Sequence, residues 1–72
     1  MSDLNSFPNE YVGIIKELHG DAVVLTRLRE LGLIPGEKIR IAGRAPFGEP
    51  LLVEVRGAVV ALRKKEAQCV QV

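Results

Sequence analysis

Three residues near the start of the chain have side chains that could hold a metal ion together. Glu17, His19 and Asp21 are spaced two residues apart, and alternate residues of an extended strand point to the same face. Carboxylate and imidazole ligands suit Fe(II) or Zn(II). Gly20 interrupts this spacing, however, and Asp21 is also well placed to cap a following helix. We therefore expect a solvated turn and no resident cofactor, with a weak Fe(II) or Zn(II) site as the alternative.

The sequence contains no pair of residues suited to nucleophilic catalysis. It has one histidine, His19, and one cysteine, Cys69, and no second histidine is present to activate the thiol. No phosphate-binding loop of the glycine-rich type is present either. We expect that the protein is not an enzyme and that Cys69 is an ordinary packing residue.

Basic side chains offer a second kind of chemistry, which is the binding of phosphate groups. Lys38, Arg40 and Arg44 have the spacing of one strand face, and residues 63–65 are all basic. Small barrels can present such faces to nucleic acid. The chain nevertheless has no Trp, one Tyr and two Phe, so stacking platforms are scarce. We expect a solvated face, with a nucleic-acid-binding module as the alternative.

A third group of residues is suited to binding a protein partner. Phe47 lies at the tip of a Pro/Gly-rich loop, and Leu52 and Val59 fall on the outward parity of neighbouring predicted strands. Arg27 and Arg29 flank a predicted helix and could anchor acidic groups. Phe47 could equally fold back and close an open end of the domain. The sequence leaves these two roles of Phe47 open.

Composition limits the chain to one small domain. Its 72 residues are 47% hydrophobic with a net charge of +1, and a chain of this size can bury about 60% of its surface. No apolar run reaches the ~18–20 residues of a membrane span. A single cysteine forms no internal disulfide, so we expect a reducing cytoplasmic location.

The first half of the chain predicts one strand and one helix. Residues 1–10 lack periodicity and are predicted to be a flexible tail, followed by a domain over residues 11–72. Val12, Ile14 and Leu18 share one parity of the first strand. The next segment has an apolar helical stripe, and the stripe is formed by Val24, Leu25, Leu28 and Leu31. Gly32 follows at a position where helices commonly end.

The second half of the chain alternates with a period of two, as strands do. Buried positions are predicted at Ile39 and Ile41 and at alternate residues of 51–55. A tight Arg56–Gly57 turn then leads to a returning strand over 58–62. One helical turn and a last short strand complete the chain. About five strands with one helix after the first predict a mainly β fold, a small antiparallel barrel.

Three stretches in the same order and spacing resemble the FeoA domain. They are RLRELGLIPGEKI at 27–39, RAPFGEPLLVEVRG at 44–57 and ALRKKEA at 61–67. The resemblance implies an SH3-like barrel and a role beside FeoB, a ferrous iron permease with a GTPase domain on its cytoplasmic side. A similar domain ends the iron regulators of the diphtheria-toxin-repressor type, and this chain resembles the stand-alone version.

The resemblance therefore implies a non-enzymatic accessory or regulatory protein of bacterial ferrous iron uptake. The expected partner is the cytoplasmic GTPase part of a FeoB-type permease, which is also the only expected link to the membrane. A small metal-binding or metal-sensing protein is the first alternative, and a nucleic-acid-binding module is the second. The matched glycines and prolines are explained mostly by the turns and loops of the fold. Exposed strand edges leave weak self-association open.

Overall fold

The computed structural model of the protein describes residues 2–72, which form two antiparallel sheets and one main helix. The strands are β1 Val12–Ile14, β2 Glu17–Leu18, β3 Lys38–Arg44, β4 Leu51–Val55, β5 Ala58–Leu62 and β6 Val70–Gln71. The helices are α1, Ala22–Glu30, and the short α2, Lys64–Ala67. One sheet has the order β1-β3-β4-β5, and the other pairs β2 with β6. The prediction of a mainly β antiparallel domain with one main helix is confirmed, with six strands within this range.

Across residues 2–72, none of the helices has both the length and the apolar character needed to cross a bilayer.

The single first strand that the sequence predicted is divided between the two sheets. β1 pairs with β3, whereas β2 pairs with β6. Ile15 lies between them and is almost completely buried. Its N–H donates to the carbonyl of Glu37 at 2.9 Å, and the N–H of Lys16 donates to the carbonyl of Gln71 at 2.8 Å. The chain therefore leaves one sheet and enters the other at this point.

The parity that Val12 and Ile14 share is not the buried face of this strand. Val12 and Ile14 are 47% and 51% exposed, while Ile15 is in the core. Gly13 faces the opposite way, and the ring of Tyr11 covers it so closely that an added Cβ would lie 2.7 Å from a ring carbon. Two adjacent isoleucines cannot both face inward on one strand, and Ile15 is the one that packs in the core.

Helix α1 begins and ends as its sequence predicts. The Asp21 carboxylate accepts a hydrogen bond from the N–H of Val24 at 2.9 Å, so the predicted N-cap is confirmed. At the other end Gly32 adopts φ +91°, which favours glycine. The N–H of Leu33 then donates to the carbonyl of Leu28 at 2.9 Å. This is a Schellman cap, and it places the two leucines together in the core.

The core lies between the two sheets and α1. The alternation predicted for β3 and β4 is confirmed, because their inward residues are buried. Arg56 and Gly57 have φ of 53° and 82°, as a two-residue hairpin turn requires. The buried apolar residues are Leu4, Ile15, Leu28, Leu33, Ile39, Ile41, Leu51, Val53, Val55, Leu62, Ala67, Val70 and Val72.

The predicted flexible tail is an ordered part of the domain. Leu4 is 0% exposed and begins a single 3-10 turn, Leu4–Ser6. Asp3 forms a bridge with Gln71. The Asn5 side chain donates to the carbonyl of Lys64 at 3.0 Å. The prediction failed because a single buried leucine creates no periodicity; Met1 lies outside the described residues.

We predict that Leu4→Ala lowers the free energy of unfolding by about 2–5 kcal/mol, because it removes most of a fully buried side chain. Urea denaturation followed by circular dichroism measures this change. Ser6→Ala is the matched control at an exposed position of the same turn, and we expect it to change stability by less than about 0.5 kcal/mol. Equal effects of the two substitutions would show that the N-terminal segment contributes little to the core.

Asp21→Ala should lower the free energy of unfolding by about 1 kcal/mol, since the N–H of Val24 loses its carboxylate acceptor. Asp21→Ser should retain most of the stability, because serine is also a favourable N-cap. The same denaturation experiment compares the two variants. An Asp21→Ser variant as unstable as Asp21→Ala would contradict the capping role.

Candidate partner-binding surface

The loop of residues 45–50, between β3 and β4, presents Phe47 to solvent. The side chain is 97% exposed. Backbone hydrogen bonds hold the loop, from Ala45 to the carbonyl of Pro50 at 3.2 Å and from Gly48 to the carbonyl of Ala45 at 2.8 Å. Of the two roles that the sequence left open for Phe47, closure of the domain's end is wrong. The ring is instead presented to solvent by a loop whose backbone is held by these hydrogen bonds.

A further contact ties the 45–50 loop to α2. The Glu49 carboxylate accepts a hydrogen bond from the N–H of Lys64 at 2.8 Å. This N–H lies in the first turn of α2, where backbone donors have no partner within the helix. The loop is therefore fixed by main-chain contacts and by one acidic side chain. The sequence analysis missed Glu49, whose only signal was a single carboxylate in a loop otherwise rich in proline and glycine.

Leu52 and Val59 lie on the outer face of the four-stranded sheet, as the parity predicted. Leu52 is opposite Ala61, and Val59 is opposite Glu54. The two apolar residues are therefore diagonal neighbours on adjacent strands, a separation at which side chains can still meet. Val59 is 56% exposed and Leu52 is half-buried. Together they form a small apolar area.

The basic face predicted on β3 is not continuous, because a shift in register after Ile41 pairs Arg44 with the buried Leu51. Hydrogen-bonded partners hold two of the three basic side chains. The guanidinium of Arg40 donates to the carboxylate of Glu54 at 2.9 Å and to that of Glu10 at 3.0 Å. The hydrogen bond and the charge of Glu54 raise the pKa of Arg40. Arg44 is hydrogen-bonded to the N-terminal segment. Within residues 2–72, Lys38 alone of the three predicted residues has no such partner, and this does not favour phosphate binding.

Arg27 and Arg29 do not form a common anchor for acidic groups. Two residues of helix correspond to a rotation of about 200°, so the two side chains leave α1 on opposite sides. Arg27 forms an ion pair with Glu66 of α2. Arg29 is exposed and has no ion pair with any described residue. Arg27 thus joins the two helices, which the sequence analysis did not foresee.

The structure does not assemble a metal site from Glu17, His19 and Asp21. His19 Nε2 lies 3.2 Å from Glu17 Oε2, but the Asp21 carboxylate is occupied by the helix N-terminus. Among the residues that the structure describes, no three His, Cys, Asp or Glu side chains are grouped to hold a metal ion. Gly20 lies between Asp21 and the Glu17–His19 pair.

Cys69 packs beside this turn. Its thiol donates to the carbonyl of Lys65 at 3.3 Å. A Cβ added at Gly20 would lie 3.2 Å from its sulfur. Burial, followed by the negative charges of Asp21 and Glu66, raises the pKa of the Cys69 thiol. A raised pKa keeps the thiol neutral and makes it a poor nucleophile.

A groove separates α1 from the end of β5. Its volume is about 430 Å³, and its lining residues come from α1, the 45–50 loop and β5. They are Arg27, Glu49, Pro50, Ala61 and Arg63. The groove is thus mixed in character, because both apolar and charged residues line it.

We predict that alkylation of Cys69 by iodoacetamide requires a higher pH in the folded protein than in the unfolded one. The thiolate is the reacting form, and the raised pKa of Cys69 lowers its population. Reaction rates measured against pH, with and without concentrated guanidinium chloride, test this. A folded-state profile displaced to lower pH would contradict the environment described for this thiol.

Solved structures similar to this chain share its fold. FeoA from Stenotrophomonas maltophilia in complex with zinc is 35% identical, with a TM-score of 0.84, over 99% of this chain and 88% of that one. It is described as an SH3 domain protein and proposed to act as a bacterial ferrous iron transport activating factor. FeoA from Chlorobium tepidum is 26% identical over 96% of this chain and 66% of that one, with a TM-score of 0.88.

A third similar structure is iron(II) transport protein A from Clostridium thermocellum. It is 29% identical over 96% of this chain, with a TM-score of 0.90, and the match spans 43% of that chain. These likenesses confirm the SH3-like fold. A family model described as the FeoA domain matches residues 3–72. The chain therefore belongs to the FeoA domain family.

Proposed function

We propose that this protein is a non-enzymatic accessory factor of ferrous iron uptake that binds the cytoplasmic GTPase part of a FeoB-type permease. Membership of the FeoA family supports a role in ferrous iron transport. The S. maltophilia relative, proposed as an activating factor of that transport, supports an accessory role. The protein acts in the cytoplasm and includes no resident cofactor.

The observation that carries the proposal is the exposure of Phe47 on a fixed loop. An aromatic ring that is 97% exposed contributes little to the stability of its own domain. Burying such a ring in an interface contributes about 1.5–3 kcal/mol, and aromatic residues are frequent centres of protein interfaces. Because hydrogen bonds hold the loop, little conformational entropy is lost on binding.

Leu52 and Val59 extend the proposed surface onto the outer face of the sheet. Their apolar area is small, so it supplements a central aromatic contact. The Arg40–Glu54 pair lies beside Val59 and gives the surface a polar border. An apolar centre with a polar rim is the usual organisation of a transient protein interface.

Binding of this kind acts on the permease by selecting one of its conformations. A partner shifts an equilibrium only by the difference in its affinity for the two states. The protein therefore regulates the GTPase part if the partner's binding site for Phe47 is formed in only one nucleotide state. This mechanism needs no catalytic group on the accessory chain.

We predict that Phe47→Ala weakens binding to the soluble GTPase domain of the cognate permease by about tenfold or more, the equivalent of about 1.4 kcal/mol. Isothermal titration calorimetry measures the affinity. Val23→Ala is the matched control, because Val23 is also an exposed apolar residue, 79% accessible, but lies on α1. Both variants should unfold at nearly the wild-type urea concentration.

Amide chemical shifts of the isotope-labelled protein complete the test. Shifts near Phe47, Leu52 and Val59 on addition of the GTPase domain would support the proposal. Unchanged affinity of Phe47→Ala would remove this residue from the interface. An anaerobic Fe(II) titration is the second arm, and shifts confined to Glu17 and His19 in that arm, with none from the GTPase domain, would favour a metal-binding protein.

A further inference from the structure

Strand β5 is the last strand of its sheet and leaves backbone groups without partners. It pairs with β4 alone, and the two-residue turn makes Val55 and Ala58 the first hydrogen-bonded pair. Hydrogen-bonded and non-hydrogen-bonded pairs then alternate. The N–H and C=O groups of Val59 and Ala61 therefore point away from β4. We call these groups the β5 edge; no described residue forms a backbone hydrogen bond with them outside the sheet.

The β5 edge lacks the features by which proteins normally protect an edge strand. Such strands are short, carry charges or proline, or contain a bulge. β5 has the sequence AVVAL and pairs with β4 in an unbroken register over residues 58–62. The opposite edge of the sheet, β1, has three residues. β5 is thus the longer edge, and its uncharged side chains leave it open.

The groove beside α1 provides space at the C-terminal part of this edge. The groove is lined by Ala61 and Arg63 together with Arg27, Pro50 and Glu49. The carboxylate of Glu49 already accepts the N–H of Lys64. Its volume of about 430 Å³ is sufficient for a few side chains of an added segment. A strand placed along β5 would therefore lie with one end in this groove.

Basic residues flank both ends of β5. Arg56 precedes the strand, and its Nε is 4.0 Å from a carboxylate oxygen of Glu37. Arg63 and residues 64–65 follow the strand. Within residues 2–72, the Arg63 guanidinium has no ion pair. A segment with a carboxylate at this end would complement that charge.

We propose that the β5 edge binds an extended segment of a partner protein by strand addition, and that this segment is apolar at alternate positions and acidic at the end beside Arg63. Backbone hydrogen bonds to Val59 and Ala61 hold the segment in register. The apolar side chains of the bound segment lie on the outer face of the sheet, beside Val59. This inference concerns the chemistry of the bound segment and does not depend on which protein supplies it.

A second copy of the chain fits this edge less well. Antiparallel self-pairing centred on Val60 would place Val59 opposite Ala61 of the second copy. The same register places Arg63 opposite Gly57, and therefore beside Arg56, of the second copy. Like charges would meet at both ends, which is unfavourable. An acidic segment would instead be attracted by the same positive charges.

The probe for the test is a synthetic peptide with blocked ends, two aspartates followed by alternating valine and threonine. A second peptide, with lysines in place of the aspartates, is the control for charge. Each is titrated into the full-length isotope-labelled protein. We expect the acidic peptide to shift the amides of Val59 and Ala61 and to slow their hydrogen exchange. The lysine peptide should bind about fivefold more weakly or worse.

Three substitutions separate the contribution of backbone hydrogen bonds from that of charge. Ala61→Pro removes an N–H that points away from β4, and proline is tolerated on edge strands. This substitution should lower the affinity for the acidic peptide by about tenfold. Ala61→Ser keeps the N–H and should bind like the wild type. Arg63→Glu should reverse the preference between the two peptides, and it keeps the proposal testable if Ala61→Pro fails to fold.

Several outcomes would overturn the proposal. The first is an absence of shifts at Val59 and Ala61 at saturating peptide. The second is shifts confined to the 45–50 loop, which would place the peptide elsewhere. Shifts of Val59 and Ala61 that depend on protein concentration alone would instead identify the edge as a self-association surface. Binding of the GTPase domain is tested by Phe47→Ala, and binding of the peptide is tested by Ala61→Pro and Arg63→Glu, so the two proposals can fail separately.

Discussion

The structure depends on the point where the chain passes from one sheet to the other. Ile15 is buried, its N–H donates to the carbonyl of Glu37, and its carbonyl accepts from the N–H of Gly36 at 2.8 Å. The residues before it pair with β3, and those after it pair with β6. One residue therefore joins both sheets to the turn that follows α1. Without this junction, a chain of 72 residues could not enclose a core between two such small sheets.

The larger sheet has one open edge. β1 covers one edge of β3, but β5 ends the sheet on the other side. The exposed apolar residues of the strands follow this pattern, since Val12 and Ile14 lie on the outer face of β1 and Val59 lies on that of β5. The core and the candidate surfaces therefore have one origin. Alternation buries one face of each strand and leaves the other face available for a partner.

Several charged residues connect elements of the fold. Arg40 joins two strands to the N-terminal segment, and Arg27 joins α1 to α2. Glu49 joins the 45–50 loop to α2. The ion pairs are exposed or partly so, where each contributes little stability. Their main effect is to set which cations remain for a partner, and Arg63 is the most clearly available beside the groove.

Much of the fold follows from local sequence. The Asp21 cap, the Gly32 helix end, the Arg56–Gly57 turn and the alternation of β3 and β4 arise between residues close in the chain. Local hydrogen bonds and periodicity suffice to predict them. The exposed position of Leu52 and Val59 follows from parity in the same way. The resemblance to the FeoA domain rests on three short stretches that include these turns.

Other features required the tertiary structure, because they depend on residues far apart in sequence. Leu4 is buried by elements that come much later in the chain, so nothing around it indicated order. The choice of Ile15 over Ile14 for the core came from the second sheet, and the exposure of Phe47 depended on how residues 45–50 fold back on themselves. The sequence by itself determined where the chain turns and which residues alternate. Only long-range packing decided which face is buried and which edge stays open, because those choices minimise exposed apolar area over the whole domain.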